Sequence, residues 1–378
     1  MATDWMACRR AFPVLREWAY FGWASVAPLA VPVVEAMQGQ LAGMRDRGAL
    51  GYRDWYAAYD RARALAAELL GALPAEIALL KNTSEGLATV AHGLEWKQGD
   101  NLVLPAGEFP ANAYPWLALA ERGVEVRRVP LNSEGGFTPA DVEAKMDART
   151  RLLSVSFVNY LTGFRADLKK LGALCEQRGV FFCVDAIQGL GALPLDVRTM
   201  RIDALAADGH KWLCGPEGQA ILFVRRKWLP HLKPLALGWW GVKNPARYDL
   251  DDQELCSTAR RYECGTLNTV GVYGLAAALE FIKRAELKFI TARLLDLARL
   301  LAEGLRAKGM RVDRANAAAN QSGIVSFSCP GRPSRELAEA LEQERIFVNP
   351  RGERLRAAVH AWNDERDIER LVEALPDA

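Results

Sequence analysis

The chain has 378 residues, with 48 Lys and Arg against 46 Asp and Glu and half its residues hydrophobic, which suits a folded globular protein of about two domains. A formal charge of +2 supplies no basic stripe, so neither nucleic acid nor an anionic membrane is an expected partner. No run of ~18 apolar residues occurs, which excludes a transmembrane bundle, and the composition also excludes disorder, fibres and small disulfide scaffolds.

Apolar positions recur at helical spacing over 54–70 and stop at Gly71. A strand at 77–80 runs into the polar turn KNTSEG, and GLATVAHGLEW then reads as a helix. DNLVLPAGEF is a strand and turn, ANAYPWLALAERG a helix ending at Gly123, and VEVRRVP a strand. RLLSVSFVNYLTG is an apolar run that turns polar at Asn159. LKKLGALCEQRG is a helix, VFFCVDAIQG a buried strand ending in Asp185, IDALAADGHKW a second of the same kind, and QAILFVRRKW one more. Continuous apolar strands alternating with helices predict an α/β fold, with a mostly parallel, doubly wound sheet covered by helices on both faces. The polar residues fall just beyond the strands' carboxyl ends, where such sheets bind ligands.

The pattern changes near residue 228. LGWWGVKNPARYDLDDQEL reads as an irregular loop, and a long helical stretch follows over 272–308. Strands at GIVSFS, RIFVNP and LRAAVHAW, with helices at SRELAEALEQE and DERDIERLVEAL, predict a smaller α+β domain. The expected division is a large domain over 17–270 and a small one over 271–378 with 1–16. No internal repeat and no linker longer than ~15 residues is visible, so the two should be closely apposed.

The seven cysteines form no C-x-x-C pair, and the four histidines lie far apart, so neither a disulfide framework nor a metal site is expected. The start, MATDWMACRRAFPVLREW, shows no long apolar core of a signal peptide, and a reducing cytoplasm is the expected compartment.

The strongest chemical signal joins VDAIQG and ADGHKW. Asp185 ends one apolar strand, and Lys211 lies 26 residues later, past the end of the next. Pyridoxal phosphate needs both groups. The amine bonds its aldehyde, and the carboxylate keeps the pyridine nitrogen protonated so that the ring accepts electrons. The alternative is a surface lysine with an ordinary salt bridge. In KNTSEG, Asn82 and Glu85 have capping-box spacing around Thr83 and Ser84, which alone reads as a plain N-cap; beside the lysine motif its free N–H groups and two hydroxyls read as an anion cradle at a helix start.

The segment VDAIQGLGALPLDVRTMRIDALAADGHKWLCGPEGQAILFV resembles the cofactor-lysine segment of class V aminotransferases, a family that includes cysteine desulfurases, kynureninase-like and isopenicillin-epimerase-like enzymes. The resemblance runs from YFGWASVAPL at 20–29 to LRAAVHAWNDERDIERL at 355–371 and implies the type I fold of pyridoxal-phosphate enzymes. It implies that Thr83 and Ser84 hold the phosphate and that Phe109 covers the ring, where desulfurases carry a histidine that can move protons. It places Asn159 and Gln188 at the phenolic oxygen, with Asn159 also near the substrate, and His210 near the phosphate or ring. Asp208 departs from the family, which often has serine there as a phosphate ligand; an ionised Asp would repel the phosphate, so no phosphate role is expected of it. RYECGTLN resembles the family's turn that reaches the neighbouring subunit's phosphate, which implies a homodimer with Gly265 and Thr266 serving the other site. Arg356 matches the arginine that clamps the substrate α-carboxylate, with Arg351 and Arg354 as nearby alternates. Only GERL separates Arg351 from Arg356, whereas desulfurases carry a longer loop with a nucleophilic cysteine. Cys329 sits at a strand end with no visible activator.

The expected function is therefore a pyridoxal-phosphate enzyme acting on an amino acid and its keto acid, with Lys211 as the base at the α-carbon. Transamination is the first expectation, with lyase (C–S or β-elimination) or epimerase chemistry as the alternative. A catalytically silent binding protein on the same fold is the non-enzyme alternative and predicts loss of Lys211 or Asp185.

Overall fold

The computed structural model describes residues 4–247 and 254–377. Its strands are β1 (Ala19–Tyr20), β2 (Ile77–Leu80), β3 (Asn101–Pro105), β4 (Glu125–Val129), β5 (Thr150–Ser156), β6 (Phe181–Asp185), β7 (Ala204–Asp208), β8 (Ala220–Val224), β9 (Arg311–Asp313), β10 (Ile324–Ser328), β11 (Ile346–Phe347), β12 (Asn349–Arg351) and β13 (Arg354–Ala358). Seven of them form one sheet in the order β2-β8-β7-β6-β5-β3-β4. Strands β2, β3, β6, β7 and β8 are buried along their whole length, which explains their unbroken apolar runs. Along β7, Leu205 and Ala207 face one core and Ala204 and Ala206 the other.

The sheet is parallel except at β8, which pairs antiparallel with both β7 and β2. The chain between Asp208 and Ala220 contains no helix, and without a crossover it can only return antiparallel. Apolar content alone carries no strand direction, so this reversal is absent from the sequence pattern. Helix Thr83–Gly93 lies on one face. Helices Val31–Arg47, Tyr52–Leu70, Leu168–Arg178 and Thr269–Ala285 contribute to the core on the other. Gly86 lets the first of these press onto β7, since a Cβ there would meet that of Ala206 at 2.7 Å.

The expected long helix over 272–308 is two helices, Thr269–Ala285 and Leu287–Ala307, broken at Glu286 with φ +60°. The break lets one contiguous apolar pattern serve two cores. Val272, Leu275 and Leu279 enter the large core, while Leu297, Leu301 and Leu305 pack with the small sheet, β12-β13-β10-β9. Helix Val31–Arg47 escapes a periodicity reading because only Val33 and Gln40 on it are fully buried. Segment 111–123 folds as one α-helical turn followed by a 3-10 turn rather than a continuous helix. The loop expected over 237–255 is irregular where it is described, with a bridge between Val242 and Leu255; residues 248–253 of it lie outside the described residues, as do 1–3 of the N-terminal part. The N-terminal segment joins the small domain, with β1 parallel to β11 and Gly22 bridging Ala358.

Candidate active site

The carboxyl ends of the large sheet meet the small sheet and the N-terminal segment at a cleft of about 340 Å³. Thr83 and Ser84 come from the helix after β2, Phe109 from the turn after β3, Tyr160 from beyond β5, Asp185 and Gln188 from the end of β6, and Asp208, His210 and Lys211 from the end of β7. Arg351 and Arg356 enter from the small sheet and Ser25 from the N-terminal segment.

Asn82 caps its helix by accepting the Glu85 N–H at 2.8 Å, and Glu85 accepts the Lys81 N–H at 2.8 Å. This closed box leaves the Thr83 and Ser84 ends of the helix turned to the cleft, an anion site by position. Asp185 is buried, and its Oδ1 accepts the Ile187 N–H at 3.1 Å. Burial pushes its pKa up to about 6, against the opposing pull of that N–H and of Lys211. Burial also brings Lys211 down to about 8, opposed by Asp185, so a useful share of its amine is neutral near neutral pH. The Lys211 Nζ stands 5.7 Å from the centre of the Phe109 ring, and that ring meets Tyr160 edge-on at 5.2 Å. Glu108 braces the turn that carries Phe109, accepting the Ser156 N–H at 2.8 Å and the Ser156 hydroxyl.

Arg356 is 2% exposed. Its guanidinium donates to the Tyr160 carbonyl at 2.8 Å and to the Ser25 hydroxyl at 2.6 Å, and its Nε has no partner. Burial, with Arg351 close by, draws its pKa below the ordinary arginine value to about 9. A buried cation held only by neutral oxygens is set to receive an anion. Gln188 donates to the Ala24 carbonyl at 2.9 Å and accepts from the Trp212 indole at 3.0 Å, which leaves one amide hydrogen for the cleft.

Asn159 stands next to Tyr160, which lines the cleft; its Oδ1 accepts the N–H groups of Leu161 and Thr162, and its amide donates to the Gly107 carbonyl at 3.0 Å, so the side chain braces its own turn and keeps one amide hydrogen. Gly265 and Thr266 lie outside this cleft, in a second depression with Lys81 and Asn268. Buried Glu263 anchors that segment, accepting from Arg63 at 2.6 Å, the Leu79 N–H at 2.9 Å and the Trp240 indole at 3.0 Å. Arg354 pairs with Asp313 and faces away from the cleft, whereas Arg351 lines it. The sequence reading had no signal for Ser25, which reaches Arg356 across 331 positions. Tyr160 shares its strand end with Asn159 and was within reach of the same argument.

Among the described residues no cysteine lines the cleft. Arg351 pairs directly with Arg354, so Gly352 and Glu353 make a two-residue turn, with Gly352 at φ +59°. Cys329 is buried beside a neighbouring groove and contacts the Pro330 carbonyl. The seven cysteines are unpaired, and among the described residues no group of His, Cys, Asp or Glu is placed to hold a metal.

The residues fit pyridoxal phosphate: a helix start for its phosphate, an amine for its aldehyde, a buried carboxylate for its ring nitrogen and an aromatic face. Two further polar atoms with no partner, Asp208 Oδ1 and His210 Nδ1, belong to residues on the same wall.

Residues 19–371 match the family described as Aminotransferase class-V. The chain is 30% identical to a probable cysteine desulfurase of Methanothermobacter thermautotrophicus, over 98% of this chain and 96% of the relative. Its fold superposes on a cysteine desulfurase from Thermococcus onnurineus NA1 with a TM-score of 0.92 at 28% identity, covering 99% of this chain and 97% of that one. It is also similar to the cystine C–S lyase C-DES, solved in complex with its reaction product cysteine persulfide (TM-score 0.90, 25% identity, 96% and 98% covered). A family match of this length, on a fold shared with solved desulfurases over nearly every residue, shows that the protein belongs to the class V aminotransferases, with the type I fold and pyridoxal 5'-phosphate as cofactor.

Proposed function

We propose that the protein is a pyridoxal-phosphate-dependent C–S lyase that takes a sulfur-bearing amino acid by its α-carboxylate and lets the sulfur leave on the substrate's own leaving group. The observation that carries this reading is the absence of any cysteine from a cleft that otherwise holds the family's lysine, aspartate and arginine. The two-residue turn at Gly352 and Glu353 leaves no room there for the longer cysteine-bearing loop of the desulfurases. The relatives' names favour lyase chemistry over the transamination first expected from sequence. The presence of both Lys211 and Asp185 in one cleft speaks against a catalytically silent protein.

The cofactor supplies an electron sink for the α-carbon. Arg356, held by Ser25 and the Tyr160 carbonyl, binds the carboxylate and sets which α-bond faces Lys211. Lys211 in its neutral form removes the α-proton, and the electron pair left behind expels the β-sulfur with its own pair. Phe109 donates no proton, so the reaction suits a leaving group that departs as a stable anion, such as a persulfide, better than a simple thiolate. The products are a 2-keto acid, ammonium and the sulfur compound, with water consumed.

The test is the holoenzyme with cystine and no keto-acid acceptor. The expected result is steady release of pyruvate, ammonium and persulfide sulfur, unchanged in Cys329→Ser. A single turnover that stops until a keto acid is added would establish transamination instead.

Arg356→Ala should weaken substrate use by roughly ten- to a hundredfold in kcat/KM, the scale of one charge-assisted pair. Cofactor content should stay level, and the variant should lose its preference for amino acids over the matching amines. Normal kinetics here, with the loss in Arg351→Ala, would move the carboxylate to Arg351.

We also propose that the working unit is a homodimer in which Gly265 and Thr266 serve the neighbouring site. Their place in a depression other than their own chain's cleft supports this, as do exposed Leu41, Met44, Leu50 and Tyr52. A monomer by sedimentation with full activity would refute it.

A further inference from the structure

We propose that Asp208 and the phosphate of the bound cofactor hold one proton between them, so that the chain takes up a proton from solvent when a phosphorylated pyridoxal binds. The inference rests on the family's cofactor and not on the lyase reading. Asp208 ends β7 and lines the cleft beside Thr83 and Ser84. It is 7% exposed, and its Oδ1 is buried with no partner. Its backbone N–H donates to the Thr83 hydroxyl at 3.0 Å, which ties the end of β7 to the first turn of helix Thr83–Gly93. An acid therefore sits on the wall of the cradle where an anion would bind, with one buried oxygen that no donor holds. Two like charges in contact in a site shielded from water do not both stay ionised, and a shared proton would turn their repulsion into a hydrogen bond.

The surroundings favour this. From its own strand end, His210 places Nδ1 at 3.8 Å from Asp208 Oδ2, and burial followed by the charge of Lys211 draws that imidazole's pKa down. Lys211, also on that turn, draws the carboxyl toward ionisation. Asp185 on β6 and Glu217 on the loop before β8 oppose ionisation. The helix presents the Thr83 N–H and hydroxyl, and Glu85 there is held by Lys81. Arg351 and Arg356 act on Lys211 from across the cleft. Burial outweighs the donors and raises Asp208 to about 6 before any phosphate arrives. A phosphate monoester loses its second proton near the same pH, about 6, so the proton belongs to the pair.

The experiment titrates the full-length chain, stripped of cofactor, with pyridoxal phosphate between pH 6 and 9, beside Asp208→Asn and Asp208→Ser. Pyridoxal without phosphate is the control for Lys211, whose titration is common to all three proteins. The expected result is a ratio of parent to Asp208→Asn affinity that falls about tenfold per pH unit above about pH 7, from the linkage of one proton. Asp208→Ser should follow Asp208→Asn, and pyridoxal should show no such ratio. Calorimetry of the parent in buffers of different ionisation enthalpy should count about one proton taken up, which needs no variant to fold. A pH-independent ratio, or no proton uptake beyond that seen with pyridoxal, overturns the proposal while leaving the cofactor assignment intact. Failure of the parent to bind pyridoxal phosphate at all would remove the cofactor assignment and the proposal together.

Discussion

Lys211→Ala should lower turnover by roughly 10³-fold or more, because it removes both the covalent attachment of the cofactor and the base at the α-carbon; a positioned proton-transfer group alone contributes about 10²–10⁴. Lys211 is the lysine that lines the cleft, and burial holds it near pKa 8, so its amine is a nucleophile at working pH. The variant should keep measurable affinity for pyridoxal phosphate through the Thr83 and Ser84 helix start, but borohydride should fix no cofactor to it. In the parent, borohydride should fix cofactor to the peptide carrying Lys211 alone. Capture of cofactor by the stripped parent should quicken about tenfold per pH unit up to roughly pH 8 and level off above it, following the neutral amine. Recovery of the reduced adduct on another lysine would sink the assignment.

The catalytic wall was legible because each of its residues follows an apolar strand. Asp185 and Lys211 needed only the rule that parallel sheets put ligands at carboxyl ends, together with the alternation that placed β6 and β7 side by side. The turn before Thr83 could be read from local capping chemistry. What stayed hidden was set by contacts across the chain. Arg356 could be named, but its acceptors could not: the Tyr160 carbonyl and the hydroxyl of Ser25, contributed by the N-terminal segment. A strand-end Asn reads the same in sequence whether or not it also braces its own turn, so the bonds from the Leu161 and Thr162 N–H groups to Asn159 Oδ1 left no sequence signal. The break at Glu286 and the reversal of β8 leave apolar periodicity untouched, since a helix can bend and a strand can turn over without changing which residues are buried. The substrate stayed open for a related reason. Sequence motifs specify what holds the cofactor, while the choice between lyase and transaminase turns on which groups are missing beyond Phe109 and the Gly352–Glu353 turn.

Asp185→Asn should reduce kcat by about 10² to 10³, the scale of losing one preorganised electrostatic contact to developing charge, with little change in fold or in cofactor affinity. Asn matches the volume of the carboxylate, and its oxygen can still accept the Ile187 N–H that orients the side chain. What it cannot do is keep a proton on the ring nitrogen. The burial that pushes Asp185 up to about 6 makes the difference large, because no water reaches that position to take over the carboxylate's role. A positively charged ring bound against Asp185 would offset this burial and favour the ionised carboxylate. The loss should appear in kcat while KM for the amino acid stays near the parent's, since Arg356 and not Asp185 holds the carboxylate. A cofactor analogue methylated on the ring nitrogen carries a permanent charge and should restore much of the activity of Asp185→Asn while helping the parent little. If the analogue leaves the variant as slow as before, and KM has risen, Asp185 is organising the substrate pocket and the charge argument for this carboxylate is wrong.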